Sequence, residues 1–192
     1  MGDGARFLRE FFVRPRVTGA VWPSSRGLAR RMTEWIDWST VKVVVEYGPG
    51  TGVFTEQIVA RKPEKARYFA IERNARFAEM LSERFPGLVV YNDSVARVKA
   101  LCERQGLEGV DVVVCGLPWA SFTESEQDTF MTAMMAVLRA GGKFATFAYL
   151  QGLLLPTGRR FRATLDRHFS DVGMSKTVWA NVPPAFVYRC VR

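Results

Sequence analysis

An acidic residue and three closely spaced glycines follow an apolar stretch early in the chain. Residues 42–47 predict a strand that contains Glu46, and Gly48, Gly50 and Gly52 follow it at every second position. A run of β-branched residues cannot bend sharply, so the glycines must supply the turn and the close backbone approach. The helix predicted for residues 53–60 begins with free N–H groups. This pattern indicates a nucleotide pocket at the carboxyl edge of a parallel sheet, or a tight turn without a ligand.

The spacing of these residues carries a first resemblance. It differs from the G-x-G-x-x-G of dinucleotide-binding enzymes, and the Glu-x-Gly-x-Gly-x-Gly form resembles motif I of class I methyltransferases, which use S-adenosylmethionine. The resemblance implies that Glu46 lies near the ammonium group of the methionine part. It also implies that Gly48, Gly50 and Gly52 let the nucleoside approach the backbone.

Polar residues also stand at the ends of the second and third predicted strands. Glu72 ends the strand of residues 67–72, where a carboxylate can accept hydrogen bonds from both ribose hydroxyls; the alternative is a solvated strand-end acid. Asp93 follows the strand of residues 88–91 and resembles the residue that receives the adenine amino group. Ser94 beside it is a second cofactor candidate, or it only caps the next helix.

The fourth predicted strand, residues 110–115, ends in the sequence Gly-Leu-Pro-Trp. Amino methyltransferases that act on adenine carry an Asn-Pro-Pro-aromatic or Asn-Leu-Pro-aromatic element at this place. Gly116 stands where those enzymes have Asn or Asp, so the polar side chain used with the base is missing. We expect Trp119 to face the cleft and stack on the substrate; the alternative is an indole in the core.

Strands and helices alternate along the chain in the order that predicts an α/β fold. This alternation favours a mainly parallel sheet with right-handed crossovers. A long helix is predicted for residues 123–139 and a fifth strand for residues 143–149. The last two strands, residues 172–178 and 186–191, have so short a link that they must pair antiparallel. We therefore expect a seven-stranded, mostly parallel, Rossmann-like sheet with a C-terminal antiparallel hairpin, as in class I methyltransferases.

Length and composition set further limits. With 192 residues, the chain has the size of one domain with a full core. Its net charge of +8 favours an anionic partner, either nucleic acid or an anionic membrane surface. The apolar runs are too short to span a bilayer. The three cysteines lack paired spacing and indicate reduced core thiols, and one histidine without a Cys pair predicts no metal site.

The N-terminal segment predicts a short amphipathic helix. Its apolar residues share one face and its charged residues the other. Either the apolar face packs on the domain core, or it enters lipid while arginines meet anionic head groups. The candidates for membrane binding are Arg6, Phe7, Leu8, Phe11 and Phe12.

Four stretches together resemble the bacterial phospholipid N-methyltransferases of the soluble, peripheral type. They are residues 19–25 (GAVWPSS), 46–52 (EYGPGTG), 116–119 (GLPW) and 181–188 (NVPPAFVY). The resemblance covers nearly the whole chain. It implies stepwise methylation of phosphatidylethanolamine toward phosphatidylcholine, with S-adenosylmethionine as cofactor, at the cytosolic face of the cell membrane.

A lipid substrate requires docking at a surface, so this resemblance favours the membrane interpretation of the N-terminal helix. We expect one methyltransferase domain over residues 1–192: a membrane-binding helix in 1–16, a cap segment in 17–38 and the Rossmann-like core in 39–192. The expected partners are a phospholipid substrate and an anionic membrane surface, without nucleic acid, and the expected state is a monomer.

Methyl transfer from a sulfonium is an in-line displacement, so an enzyme must chiefly align amine, methyl and sulfur. The amine must lose a proton before it attacks, and Tyr149 and Tyr47 are candidates to receive it. Aromatic faces such as Trp119 and Tyr149 would bind the cationic products. Asn181 completes the catalytic candidates. The cofactor candidates are Glu46, Gly48, Gly50, Gly52, Glu72, Asp93, Ser94, Gly116 and Ser25, and the candidates for the lipid phosphate are Arg159, Arg160 and Arg189.

Two other functions fit part of the sequence. An rRNA or DNA adenine N-methyltransferase would explain the basic charge equally well, but Gly116, the lack of a separate nucleic-acid domain and the Phe-rich N-terminus count against it. A binding protein with a vestigial cofactor site is the other alternative. The acids Glu46 and Glu72 count against that interpretation.

Overall fold

A single mixed sheet organises the part of the chain that the computed structural model describes, residues 25–192. The predicted membrane-binding helix, with Arg6, Phe7, Leu8, Phe11 and Phe12, and residues 17–24 of the cap segment lie outside the described residues. The strands are β1 Val43–Tyr47, β2 Arg67–Ile71, β3 Val89–Tyr91, β4 Val110–Cys115, β5 Leu138–Tyr149, β6 Asp171–Met174 and β7 Ala185–Val191.

Within residues 25–192 the seven strands lie in the order β3-β2-β1-β4-β5-β7-β6. Strands β1 to β5 run parallel, and β7 pairs antiparallel with both β5 and β6. This arrangement confirms the predicted Rossmann-like α/β class with its C-terminal hairpin. The helices are α1 Arg26–Thr33, α2 Val53–Arg61, α3 Ala75–Arg84, α4 Val98–Arg104, α5 Glu124–Met135 and α6 Pro156–His168.

Strand β1 lies in the middle of this sheet, and all of its residues are buried. A central parallel strand is covered on both faces, which is why its sequence is a continuous apolar run rather than an alternating one. Val43, Val45 and Tyr47 pack into the core on one face, and Val44 packs into the core on the other. Glu46 shares the face of Val44, because successive side chains of a strand point to opposite sides.

Local sequence signals set the ends of several helices. Asn74 precedes α3, and its side-chain oxygen accepts hydrogen bonds from the backbone N–H groups of Arg76 and Phe77. Thr123 and Glu126 form a reciprocal capping box at the start of α5.

The boundary between α5 and β5 differs from the prediction. The helix ends at Met135 instead of continuing to residue 139, and β5 begins at Leu138. Leu138 is fully buried and pairs with Val110 of β4, so tertiary packing outweighs the helix propensity of this stretch. The two glycines at 141–142 therefore lie inside an irregular strand rather than after a helix, and the strand register shifts beside them.

No helix within residues 25–192 combines the length and the apolar character needed to cross a bilayer.

Candidate active site

The glycine turn after β1 depends on backbone conformations that favour glycine. Gly48, Gly50 and Gly52 all have positive φ angles, of 61°, 54° and 84°. A Cβ atom on Gly48 would lie 2.5 Å from the side chain of Leu117, whereas a Cβ atom on Gly50 would meet no atom of the described residues within 4 Å. The turn is thus closely packed at Gly48 and open at Gly50, where a ligand can approach the backbone.

Gly116, at the end of β4, packs directly against this turn. A Cβ atom at this position would lie 2.5 Å from the backbone oxygen of Gly48. The N–H of Gly116 also donates a hydrogen bond of 2.7 Å to the backbone oxygen of Tyr47. A side chain at this position would therefore displace the glycine turn.

Glu46 is completely buried beneath the glycine turn. Its Oε2 accepts hydrogen bonds from the hydroxyls of Thr55, at 2.8 Å, and Tyr68. Its Oε1 has no hydrogen-bond partner among the described residues. Burial raises the pKa of this carboxyl to about 7. A buried acceptor without a partner is costly, so Oε1 could accept a hydrogen bond from a bound cation or N–H group.

Glu72 joins the end of β2 to the glycine turn. Its Oε2 accepts a hydrogen bond of 3.0 Å from Gly50 N–H, and its Oε1 accepts one of 2.8 Å from Asn74 N–H. Each carboxylate oxygen can accept a second hydrogen bond, so both remain able to receive ligand hydroxyls. Glu72 therefore positions the turn as well as lining the pocket next to it.

Asp93 and Ser94 line the same pocket, together with Gly48 and Glu72. The other residues that line it are Ile71, Arg73, Val95, Leu117, Phe122 and Phe130. Ser94 also caps the short helix that follows, because its Oγ accepts a hydrogen bond from Ala96 N–H. The two interpretations of Ser94 are thus compatible.

Trp119 and Tyr149 line a second, apolar cavity of about 220 Å³ beside the glycine turn. Trp119 is 2% exposed and stacks on Phe161 with ring centroids 4.9 Å apart, so it belongs to the core and to the cavity wall at once. Tyr149 lies at the carboxyl end of β5, and burial raises the pKa of its hydroxyl above the ordinary value. Its phenol therefore stays neutral at physiological pH.

Three of the predicted site residues lie elsewhere. The Tyr47 side chain is fully buried in the core on the other face of β1 from Glu46, where strand alternation directs it. Asn181 is buried, and it accepts a hydrogen bond from Ser25 N–H at 3.0 Å and donates one to Pro183 O at 2.8 Å. Ser25 caps α1. Asn181 and Ser25 thus tie the C-terminal hairpin to the start of α1, and Tyr47 has no path to an amine in this arrangement.

The candidates for the lipid phosphate also have other partners. Arg189 donates to Glu34 at 3.1 Å, and Arg160 pairs with Glu124 at 3.1 Å. Arg159 lies on the exposed side of α6.

Sequence reasoning missed the partners of Glu46 and most of the cavity wall. Thr55 and Tyr68 lie 9 and 22 residues from Glu46, and no local pattern relates them to it. The run Leu153-Leu154-Leu155, a few residues after β5, was a signal of the apolar wall, to which Leu153 and Leu155 contribute.

Within residues 25–192, no group of three or more His, Cys, Asp or Glu side chains is close enough together to hold a metal ion.

Comparison with known proteins identifies the family. No family model matches the chain. An ornithine lipid N-methyltransferase from Singulisphaera acidiphila is 31% identical over 193 residues, a match that covers 99% of this chain and 96% of that protein. The chain belongs to the ornithine lipid N-methyltransferase family. The relationship spans the glycine turn, the cavity and the C-terminal hairpin alike.

Solved structures agree with this family at the level of the fold. A SAM-dependent methyltransferase from Archaeoglobus fulgidus matches with a TM-score of 0.63 at 12% identity, covering 97% of this chain and 99% of that one. A TehB-like SAM-dependent methyltransferase from Corynebacterium glutamicum matches with a TM-score of 0.61 at 10% identity, covering 99% and 98%. The family member described here is an S-adenosylmethionine-dependent N-methyltransferase.

The residues of the site fit this cofactor. S-adenosylmethionine supplies a methyl group activated on a sulfonium. The Oε1 atom of Glu46 has no partner in the described residues, which suits an ammonium donor, and the open face of Gly50 permits close approach of a ligand to the backbone.

Glu46 should make the stability of this family member depend on pH. Its carboxyl pKa is about 7 in the folded state against an ordinary value of 4.5. The folded protein therefore holds a proton that the unfolded chain loses between these values, so the free energy of unfolding falls as the pH rises from about 4.5 to about 7. In wild type this fall in the free energy of unfolding should be on the order of 3 kcal/mol. In Glu46→Gln the fall should be absent, as measured by urea unfolding across the same pH range.

Glu64→Gln, on an exposed turn, is the matched control and should keep the wild-type slope. Equal slopes for wild type and Glu46→Gln would show that Glu46 is ionised in the folded cofactor-free protein across the whole range.

Proposed function

We propose that this protein transfers methyl groups from S-adenosylmethionine to the primary amine of a polar membrane lipid. The observation that carries the proposal is the 31% identity to an ornithine lipid N-methyltransferase over 99% of the chain. The apolar cavity beside the glycine turn supports it, because a lipid brings aliphatic groups to the reaction edge together with its amine.

Ornithine lipid is the first substrate candidate. The relative is named for it, and two of the three arginines predicted to hold a lipid phosphate, Arg160 and Arg189, are paired with carboxylates. This pairing gives no separate support for a head group that contains phosphate. Phosphatidylethanolamine, methylated stepwise toward phosphatidylcholine, is the second candidate, and the sequence resemblance to phospholipid N-methyltransferases favours it.

The chain's own residues divide the work between binding and alignment. Glu46 Oε1 would receive the ammonium of the cofactor, Glu72 its ribose hydroxyls, and Asp93 its adenine amino group. The neutral phenol of Tyr149 would orient the amine by a hydrogen bond, and water would take the proton of the amine, because a phenol of raised pKa is not ionised at physiological pH and supplies no anionic base. Trp119 would form the wall that excludes water from the cleft.

Methylation of adenine in rRNA or DNA fits less well. The packing of Gly116 against Gly48 leaves no space for the Asn or Asp side chain that such enzymes place there. In the described residues, the cavity beside this position is apolar and offers few groups to the edge of a base.

Radiolabelled methyl transfer is the test of this function. Wild-type protein should label ornithine lipid in mixed vesicles, and phosphatidylethanolamine more slowly, while rRNA and DNA remain unlabelled. Glu72→Gln should lower kcat/KM for the lipid at least tenfold by weakening the cofactor pocket. Exposed Glu64→Gln is the control and should match wild type. Labelling of rRNA or DNA without labelling of either lipid would contradict the proposal.

We also propose that residues 1–16 hold the protein peripherally on an anionic membrane, at the cytoplasmic face of the cell membrane. The amphipathic pattern of this segment supports the proposal, since Phe7, Phe11 and Phe12 alternate with arginines that would meet anionic head groups.

Vesicle sedimentation checks the membrane proposal. Removal of residues 1–16 should reduce binding to vesicles with anionic lipid at least tenfold, and Phe7→Ser with Phe11→Ser should reproduce most of the loss. Glu10→Gln, in the same segment but outside the apolar face, should leave binding at or above the wild-type level. Undiminished binding of the truncated protein would refute the role of this segment.

A further inference from the structure

The apolar cavity has walls from three stretches of the chain. They are Pro118–Ala120 after β4, a longer stretch from the end of β5 to Phe161 of α6, and Tyr188 of β7. The longer stretch includes Gln151, Gly152, Leu153 and Leu155 between β5 and α6, and Gly158 within α6. The volume is about 220 Å³. Among the described residues that line it, none carries a charge.

The lining restricts the chemistry of an occupant. A phosphate, carboxylate or ammonium placed wholly inside would lose its hydration without gaining a paired charge from the described walls, which is strongly unfavourable. Aliphatic groups gain free energy when they leave water for such a site. The cavity is therefore suited to the apolar part of a substrate rather than to its head group.

The position of the cavity suits an extended occupant. Its lining includes Pro118, next to Leu117, whose side chain contacts the glycine turn at Gly48. It also includes Leu155, which is 43% exposed. An occupant could thus reach from the reaction edge to the protein surface.

The segment between β5 and α6 is held in place at both of its ends. Gly158 lies so close to Gly152 that a Cβ atom on Gly158 would lie 2.0 Å from the Gly152 backbone oxygen. Leu150 N–H donates a hydrogen bond of 2.9 Å to Pro184 O, which joins the same segment to the C-terminal hairpin. Because both ends of the segment are anchored, the cavity is a preformed part of the fold.

We propose that this cavity binds the part of one aliphatic chain of the substrate that lies nearest the head group, and so selects lipids over small amines. This inference rests on the proposed function. This part of the lipid's aliphatic chain must leave the bilayer for the amine to reach the glycine turn. Binding in the cavity offsets the free energy that is lost when the chain leaves the bilayer. Affinity should therefore increase with chain length only until the cavity is full.

Leu153 and Leu154 provide a matched pair of test positions. Leu153 lines the cavity, while its neighbour Leu154 is 76% exposed and does not. Leu153→Trp fills the cavity, and Leu154→Trp makes the same change at the surface. Ala148→Leu, on β5, adds volume from another wall and serves if Leu153→Trp does not fold.

Binding of n-alkanols from butanol to decanol to the full-length protein tests the cavity without methyl transfer. Titration calorimetry should give a wild-type Kd that falls about threefold to fourfold for each added methylene and then becomes constant. Leu153→Trp, or Ala148→Leu, should weaken octanol binding at least tenfold while both keep their affinity for S-adenosylhomocysteine. Leu154→Trp should match wild type in both measurements.

Two results would overturn the inference. One is a Kd for alkanols that does not change with chain length, and the other is an equal Kd for wild type and the filled variants. Absence of alkanol binding to the wild-type protein would also overturn it, and would indicate that the cavity is closed, for example by residues 1–24. Failure of methyl transfer to any lipid would instead refute the proposed function. Alkanol binding and methyl transfer are measured separately, so the two failures are distinguishable.

Discussion

The contact between Gly116 and Gly48 is the constraint on which the rest of the site depends. Strands β1 and β4 are neighbours in the sheet, and their carboxyl ends meet where a Cβ atom on Gly116 would lie 2.5 Å from the Gly48 oxygen. Glu72 fixes the same turn from the other side through Gly50 N–H. The conformation of the glycine turn is therefore set by three strand ends at once. This accounts for a pocket that is formed before any ligand arrives.

The carboxyl edge of the sheet separates into a polar half and an apolar half. Glu72 and Asp93 line the polar half, and Glu46 is buried two residues before the glycine turn, where burial raises its pKa to about 7. Trp119 and Tyr149 belong to the apolar half. A reaction that joins a charged cofactor to an aliphatic substrate requires both environments at one edge. Burial of the Glu46 carboxyl lowers the stability of the fold, and an apolar residue at this position would be more stable. Glu46 is therefore a residue that serves function at the expense of stability.

The sequence predicted the architecture and the cofactor well, because the signals for both are local. The run of valines, the spaced glycines and the acids at strand ends each depend on a few adjacent residues. The α5–β5 boundary was predicted wrongly, because the pairing of Leu138 with Val110 is a contact across 28 residues. Tyr47 was expected in the cleft because it is next to the turn, but strand alternation directs its side chain into the core. The cavity depends on residues brought together from three stretches of the chain, so no single motif predicts it.

The affinity for S-adenosylhomocysteine, measured by calorimetry on wild type, Gly116→Ala and Gly173→Ala, tests whether the contact between Gly116 and Gly48 holds the cofactor-binding turn in place. Gly173 lies in β6, where a Cβ atom would make only an ordinary contact at 3.7 Å, so Gly173→Ala controls for the loss of a glycine. Wild type and Gly173→Ala should bind S-adenosylhomocysteine with the same affinity. Gly116→Ala should bind at least tenfold more weakly, because its methyl group displaces the turn. Equal binding by all three proteins, or no binding by wild type, would contradict the account.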